Sequence, residues 1–217
     1  MLILASSIPA IAVYFWFRIA RYPFSTVRFL LILLAGATAF FPALILQNIS
    51  LMNFTISGRW GLIVQIFVRI ALTEELSRLL VLLCYFKISR RLNSGLTYGD
   101  VILGSATGLV AGLGLAILES AAYGAVNTGI ILLRLFTAAP LHAACGARAG
   151  AAAILFRSNP VQAFFRFLTA VAIHGIYNYM IILSGLPSLA AVLIALSALA
   201  SSILTIHSGM PKNPPAS

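Results

Sequence analysis

The chain has 217 residues, of which 61% are hydrophobic and only 8% are charged. A soluble domain carries about 25% charged residues, so these charges are too few to cover a surface exposed to water. The composition excludes an ordinary soluble domain and predicts lipid as the solvent for most of the chain. The net charge of +10 does not indicate nucleic-acid binding, because the sequence has no basic stripe or aromatic platform.

Long, continuous apolar runs predict an all-α transmembrane bundle, because only helices and closed barrels satisfy their backbone hydrogen bonds in lipid. Each span needs about 20 residues, and we predict about seven, at residues 2–17, 28–47, 60–86, 99–123, 130–156, 164–184 and 188–206. No basic region precedes the first run, so we expect a retained span rather than a cleaved signal peptide. Residues 1–210 are predicted to form one membrane domain, and the Pro-rich tail 211–217 to be disordered.

Basic residues predict the orientation of the bundle. The loops opposite to the basic side hold only Arg59 and, at most, Arg134. The loops after the first, third and fifth spans, together with the tail, hold Arg18, Arg21, Arg28, Lys87, Arg90, Arg91, Arg157, Arg166 and Lys212. The positive-inside rule therefore predicts an N-terminus outside and a C-terminus in the cytosol.

Cysteine and aspartate carry little functional signal. Cys84 and Cys145 both lie in apolar helical sequence and are predicted to be small core residues rather than a disulfide or metal framework. Asp100 lies at the start of a span, where it is expected to cap the helix.

The three glutamates are stronger indicators of function, because they are the only acidic residues inside the predicted spans: Glu74, Glu75 and Glu119. An ionisable group at the bilayer centre costs about 2.5–3.5 kcal/mol on insertion scales. Such residues indicate either a functional site or a buried ion pair that joins two helices.

Two adjacent glutamates belong to the pattern Glu74-Glu75-x-x-Arg78. On a helix, Arg78 is four residues from Glu74 and three from Glu75, so either pair can make contact. Arg78 can hold one carboxylate ionised and oriented. The other carboxylate, beside a like charge in a low dielectric, is predicted to serve as a general base.

Small residues predict which helix faces pack together. Gly104, Gly108 and Gly112 form a stripe that lets helices approach closely in lipid, and Glu119 lies about two turns after Gly112 on the same face. Tyr123 is one turn further along. Under these boundaries Glu119 is nearer the outer end of its span than the other acids, so either the helix tilts or the site opens outward.

Two histidines lie inside spans. His142 shares a face with the small residues Ala138, Gly146 and Gly150, and His174 shares a face with Asn178. With a rise of about 1.5 Å per residue, both histidines can lie at the depth of the paired glutamates.

Taken in order, these residues resemble the PrsW-type glutamic intramembrane proteases, a group that looks related to the CAAX-protease and bacteriocin-processing membrane proteases. The resemblance covers residues 70–182 and rests on four blocks: Glu74-Glu75-x-x-Arg78; Gly112 to Glu119 with Tyr123; His142 followed by Gly150; and His174-x-x-x-Asn178. The chain departs from the family at Arg78, where Lys is more common, and at Leu115 and Ser120, where Phe and Asn are common.

The resemblance implies a catalytic core at residues 60–184, with accessory spans 2–17, 28–47 and 188–206. It implies hydrolysis of a peptide bond inside a prokaryotic plasma membrane by a Glu-activated water. Glu74, alone or with Glu119, would activate the water. Glu75 and Arg78 would orient the site. His174 and Asn178 would stabilise the oxyanion.

His142 would either polarise the substrate or complete a metal site. Two carboxylates and two imidazoles would suit Zn²⁺, held by Glu74, Glu119, His142 and His174. The chain lacks the H-E-x-x-H signature of zinc proteases, so a metal-free glutamic mechanism without a cofactor is favoured over the metal-dependent one.

The expected partners are the lipid bilayer and a membrane-anchored protein or peptide substrate, and the oligomeric state is open. One alternative function is a proton-coupled transporter or channel with a buried Glu/His relay. The sequence shows none of the internal repeats that such transporters often contain. Another alternative is a non-enzymatic scaffold whose buried charges only fix helix pairing.

Overall fold

The computed structural model describes residues 1–49, 58–91, 100–183 and 185–209. All the secondary structure in these ranges is helical, which confirms the all-α prediction. The predicted disordered tail lies outside the described residues. In chain order the α-helices are α1 (Leu2–Ser6), α2 (Ile8–Ile19), α3 (Thr26–Thr38), α4 (Phe40–Asn48), α5 (Gly58–Val64), α6 (Thr73–Arg91), α7 (Val101–Val126), α8 (Gly129–Phe136), α9 (Ala138–Leu155), α10 (Pro160–Ile182) and α11 (Leu186–Ser208).

Side-chain caps begin three of the long helices. The Ser25 hydroxyl accepts from the Arg28 amide at 3.2 Å and begins α3. Asp100 caps α7 by accepting from the Leu103 amide at 2.9 Å, which confirms its predicted role. Asn159 caps α10 in the same way, by accepting from the Gln162 amide at 3.1 Å. Each cap satisfies an amide that the first turn of a helix leaves without a partner.

Four of the described helical stretches are long and apolar enough to cross a membrane, namely Thr26–Asn48 (α3 and α4), α7, α10 and α11. The pair α8 and α9, bent by 42°, makes a fifth if it is one span. The prediction of seven spans and its orientation stay predictions. Helix α2 is only 12 residues long. The helical stretch 58–91 carries Arg69, Glu74, Glu75 and Arg78 near its middle.

Glycine contacts bring α7 and α9 together at the centre of the bundle. A Cβ atom on Gly108 would overlap the Gly146 carbonyl oxygen, and one on Gly112 would overlap the His142 carbonyl oxygen. Only glycine allows backbones to approach this closely. The predicted packing face of α7 is confirmed, and it places α7 directly against the helix that carries His142.

A π-helical segment, Gln65–Leu72, lies between α5 and α6 and ends immediately before Thr73. The sequence analysis did not predict it. Its Phe67 ring packs against Gly175 of α10, where a Cβ atom would overlap the ring. π-Helical turns occur often at functional sites, and here the segment joins the two glutamates to the helix that carries His174.

The two cysteines have different environments. Cys145 is buried, and its Sγ lies 3.5 Å from the Ala170 carbonyl oxygen, as expected of a core residue. The same prediction is wrong for Cys84, which is exposed because it lies on the outward face of α6. Both thiols are free.

Candidate active site

A buried network joins both histidines to one of the paired glutamates. Glu75 is completely buried and forms an ion pair with Arg78 of the next turn. Its other oxygen lies 2.7 Å from His174 Nδ1, and Arg78 Nη2 lies 2.9 Å from His142 Nδ1. Glu75 and Arg78 therefore hold the two imidazoles from α9 and α10 in fixed orientations.

The partners of the two imidazoles give them opposite proton positions. Arginine can only donate, so Nδ1 of His142 accepts from Arg78, and the proton of a neutral His142 ring is on Nε2. The carboxylate of Glu75 can only accept, so Nδ1 of His174 carries a proton, and Nε2 of a neutral His174 ring keeps a lone pair. The rings meet edge to face, with centroids 5.3 Å apart.

Glu119 lies in the same cluster, although the predicted span boundaries placed it nearer the outer end of its span than the other glutamates. Its Oε2 is 2.5 Å from His142 Nε2 and 2.8 Å from Arg134 Nη2. Arg134 also donates to the Ser120 hydroxyl at 3.1 Å, and its guanidinium lies over the Tyr123 ring at 4.4 Å from the centroid. These contacts hold the Glu119 carboxylate against His142.

Glu74 has a different environment from its neighbour. Its Oε1 accepts from Gln47 Nε2 at 3.2 Å. Its Oε2 is buried, lies 3.6 Å from His174 Nε2, and has no hydrogen-bond partner among the residues that the structure describes. One oxygen of Glu74 thus remains available beside His174 Nε2.

A cavity of about 340 Å³ leads to these carboxylates. Glu74 and Glu119 contribute to its lining together with Gln47, Tyr123 and apolar side chains of α4 and α7. Binding clefts are commonly of this size, apolar with a few convergent polar groups. The cavity reaches Val126, at the end of α7, so the cluster opens toward that end of the bundle.

Sequence reasoning missed Gln47 and Arg134. Gln47 lies at the end of α4, and Arg69 Nε holds its backbone carbonyl at 2.9 Å. Arg134 was considered only as a possible loop charge, although it is a single cation within the apolar run of α8. A polar residue near the end of an apolar helix was the available signal in both cases.

The structure does not bring Asn178 into the cluster. The side chain is partly buried and makes no hydrogen bond within the described part of the chain. Asn178 shares a face of α10 with His174, but one helical turn separates them by about 5.4 Å along the axis. The other six predicted site residues all meet: Glu74, Glu75, Arg78, Glu119, His142 and His174.

The family model described as PrsW family intramembrane metalloprotease matches residues 25–204, which is most of the chain. The chain belongs to this PrsW family. It is therefore an intramembrane endopeptidase, and membership favours the protease over the transporter and scaffold alternatives. The match is wider than the resemblance in the sequence, since it includes α3, α4 and most of α11. Neither the curated proteins nor the solved structures contain a match.

The PrsW family is described as metalloproteases, and two groups of described side chains could hold a metal ion. The ligand atoms of Glu74, His142 and His174 lie within 4.8 Å of one another, as do those of Glu75, Cys145 and His174. In the second group, both Glu75 oxygens already have partners. In the first group, Glu74 Oε2 is buried without a hydrogen bond. Both ring nitrogens of His142 have partners, Arg78 and Glu119, so His142 would have to give up its hydrogen bond from Arg78 to bind a metal.

Proposed function

We propose that this PrsW-family protein hydrolyses a peptide bond of a membrane-associated protein or peptide with a water activated by Glu74. The observation that carries the proposal is the buried Glu74 Oε2, which has no hydrogen-bond partner among the described residues and borders the cavity. A general base needs a free lone pair within reach of the water. Glu74 would take a proton from the attacking water and deliver it to the nitrogen of the leaving amine.

The surrounding residues would prepare this step. Glu75 and Arg78 are positioning residues, because they bind the imidazoles and leave no free oxygen on Glu75 for the reaction. The Nε2 proton of His142, shared with Glu119, is a donor for the negative charge that develops on the scissile carbonyl oxygen. We propose this donor in place of the role expected of His174 and Asn178, since Nε2 of a neutral His174 ring would face the site as an acceptor.

In an alternative arrangement, a divalent metal such as Zn²⁺ would be held by Glu74, His142 and His174, after His142 gives up its hydrogen bond from Arg78. When bound, it would polarise the scissile carbonyl and acidify the attacking water. Glu75, which holds His174 Nδ1 at 2.7 Å, would then fix the ring of a ligand, as carboxylates do around zinc. In this alternative, Glu119 and not Glu74 would accept the proton of the water. The family description supports this alternative, whereas the free Glu74 Oε2 supports the metal-free mechanism that the sequence favoured.

The other aspects of the function are proposals from the family resemblance. They are a prokaryotic plasma membrane as the location, a membrane-anchored substrate, and a relation of the family to CAAX proteases. The predicted orientation would make the cavity open toward the outer side of the membrane. A substrate segment would then enter beside α4 and the end of α7.

Glu74→Gln tests the role of the base. We expect it to abolish cleavage of a membrane-anchored reporter, because an amide cannot take the proton of the water, while the melting temperature stays close to that of the wild type. Cleavage is read on a gel after reconstitution. Gln162→Glu, at an exposed position near the start of α10, is a control that makes the reverse exchange and also changes one charge. Wild-type cleavage by Glu74→Gln would overturn the proposal.

Metal content tests the ligand set separately. In the metal-dependent alternative, we expect about one zinc ion per chain after a chelator wash of the purified protein, and a loss of at least tenfold in retained zinc with His174→Ala. The readout is elemental analysis. A wild-type protein that cleaves its substrate without retained metal would contradict the ligand assignment and leave the Glu74 base in place.

A further inference from the structure

A second polar cluster lies inside the bundle, away from the carboxylates. A cavity of about 60 Å³ is formed where α7, α9, α10 and α11 converge. Its polar lining consists of Ser105, Arg148, Arg166, Ser201, Ser202 and Thr205. Arg166 is eight residues from His174 on α10, which separates them by about 12 Å along the helix. The cluster is therefore distinct from the candidate active site.

The two arginines face this cavity without an acidic partner. Arg148 Nη1 donates to the Ser202 hydroxyl at 3.0 Å and to the Ala144 carbonyl oxygen at 2.9 Å. Arg166 Nε is buried and has no hydrogen-bond partner within the described ranges. Neither arginine forms a salt bridge to a described acid.

The chain itself has no acid left to neutralise them. Of its four acidic residues, three belong to the candidate active site, and Asp100 caps α7. Two guanidinium groups beside each other in a low dielectric repel and are costly unless an opposite charge binds between them. No acidic side chain of the described residues is left for these arginines, so a bound anion is the partner that they lack.

The size and donors of the cavity indicate which anion fits. A water molecule needs about 10–15 Å³ of such a volume, so about 60 Å³ accommodates roughly four to six water-sized atoms, comparable to the four oxygens of a phosphate. Arginine forks bind phosphate oxygens with paired N–H donors, and the serine and threonine hydroxyls add further donors. Arg148 is seven residues from the end of α9, about 10 Å along the helix, which is within reach of lipid headgroups at that end.

We propose that Arg148 and Arg166, with the surrounding hydroxyls, bind one phosphate group, either of an anionic lipid headgroup or of free inorganic phosphate. The bound phosphate neutralises the arginines and holds α9, α10 and α11 together at this end. It stabilises the folded state by mass action, because it binds a site that the unfolded chain lacks.

The test uses the full chain purified in a neutral maltoside detergent without phosphate. The melting temperature is measured while either inorganic phosphate or phosphatidylglycerol is added. We expect it to rise with at least one of them. The ligand concentration that gives half of the maximal rise in melting temperature should increase about tenfold or more in Arg166→Gln. This factor corresponds to the loss of one charge-assisted hydrogen bond. Arg166→Lys, which keeps the charge, should give an intermediate value.

Arg91→Gln is the matched control, because Arg91 is an exposed arginine on a separate basic cavity at the end of α6. It should shift the half-maximal concentration by less than twofold. A rise with phosphatidylglycerol alone assigns the site to a lipid headgroup, and a rise with inorganic phosphate assigns it to the free ion. No rise with either ligand, or equal behaviour of Arg166→Gln and the wild type, would overturn the proposal.

Discussion

Glu74 and Glu75 are neighbours in the chain with opposite environments. Glu75 is bound on both oxygens, by Arg78 and by His174, whereas Glu74 Oε2 is left without a hydrogen bond in the described structure. The side chains of two consecutive residues on a helix point about 100° apart, because each turn has 3.6 residues. One carboxylate can thus serve the structure while the other serves the chemistry.

This division predicts a loss of stability from Glu75→Gln. The substitution leaves the buried Arg78 without its anionic partner, and breaking a buried pair in this way costs about 3–5 kcal/mol. Glu74→Gln removes no ion pair with arginine and keeps an acceptor for Gln47, so we expect it to cost less than about 1 kcal/mol. The free energy of unfolding is measured in detergent micelles, with circular dichroism as the signal.

The double variant Glu75→Leu/Arg78→Met is the control, since replacing both partners avoids an unpaired buried charge. It should recover part of the stability that Glu75→Gln loses. Equal stability of the two single glutamine variants would contradict the separation of roles.

At this scale the sequence identified most of the cluster but not its pairings. Acids in an apolar chain are conspicuous, so Glu74, Glu75 and Glu119 could be selected from composition alone. The sequence could not show that Arg134 of α8 reaches Glu119, or that Gln47 reaches Glu74, because these contacts join segments that are distant in the chain. Spacing on α10 grouped Asn178 with His174, but a shared face does not ensure a shared hydrogen-bond network.

At the scale of helices, the contact between α7 and α9 fixes the distance between Glu119 and His142. Gly112 lies against the backbone carbonyl of His142 itself. Any side chain there pushes the two helices apart at the level of the site. The glycine stripe in the sequence predicted this contact, since its four-residue spacing keeps glycine on one face.

We therefore expect Gly112→Ala to destabilise the protein by about 1–3 kcal/mol, as overpacking does elsewhere, and to reduce cleavage as well. The added Cβ atom must displace the His142 backbone, which moves the imidazole from Glu119. Melting temperature and reporter cleavage are the measurements.

Gly129→Ala is the matched control, because its Cβ atom would meet only the Asn127 Oδ1, at 3.3 Å. It should change stability by less than about 0.5 kcal/mol. Wild-type stability and activity of Gly112→Ala would mean that the helices are not in close contact at this position.

The π-helical segment before Thr73 could not be predicted from the sequence. An α-helix and a π-helix have similar hydrophobic patterns over eight residues, and only tertiary packing distinguishes them. Here the packing of Phe67 on Gly175 involves residues more than 100 positions apart. The apolar content of residues 65–72 predicted a helix. The π-helical turn occurs where Phe67 makes its long-range contact with Gly175.

At the scale of the molecule, composition was sufficient for the all-α class but not for the span count. Hydropathy detects spans that face lipid, and four or five described stretches meet that requirement. The helical stretch 58–91 does not meet this hydropathy requirement, because it contains the charged residues of the site, Glu74, Glu75 and Arg78. Buried ion pairs let a helix carry such residues inside a membrane, so the most functional segment is the one that hydropathy recognises least.

The orientation predicted from the basic residues can be tested with fusions to the C-terminus. If the C-terminus is cytosolic, a fusion to green fluorescent protein should fluoresce and a fusion to alkaline phosphatase should be inactive. Each reporter becomes active on only one side of a bacterial membrane. The positive-inside rule is the physical reason, since loops rich in Arg and Lys remain in the cytosol. The opposite pattern of reporters would reverse the orientation and the proposed opening of the cavity.

The opening itself can be tested by thiol labelling of intact cells. In a Cys84→Ser background, Ala122→Cys places a thiol in the lining of the 340 Å³ cavity. A membrane-impermeant maleimide should then label it from outside, because the cavity is expected to open to water on that side. Ala153→Cys, in the basic cavity between α6 and α9, should stay unlabelled until the membrane is permeabilised. Labelling of Ala153→Cys alone would mean that the carboxylates open to the cytosol, and substrate entry would have to be assigned to that side.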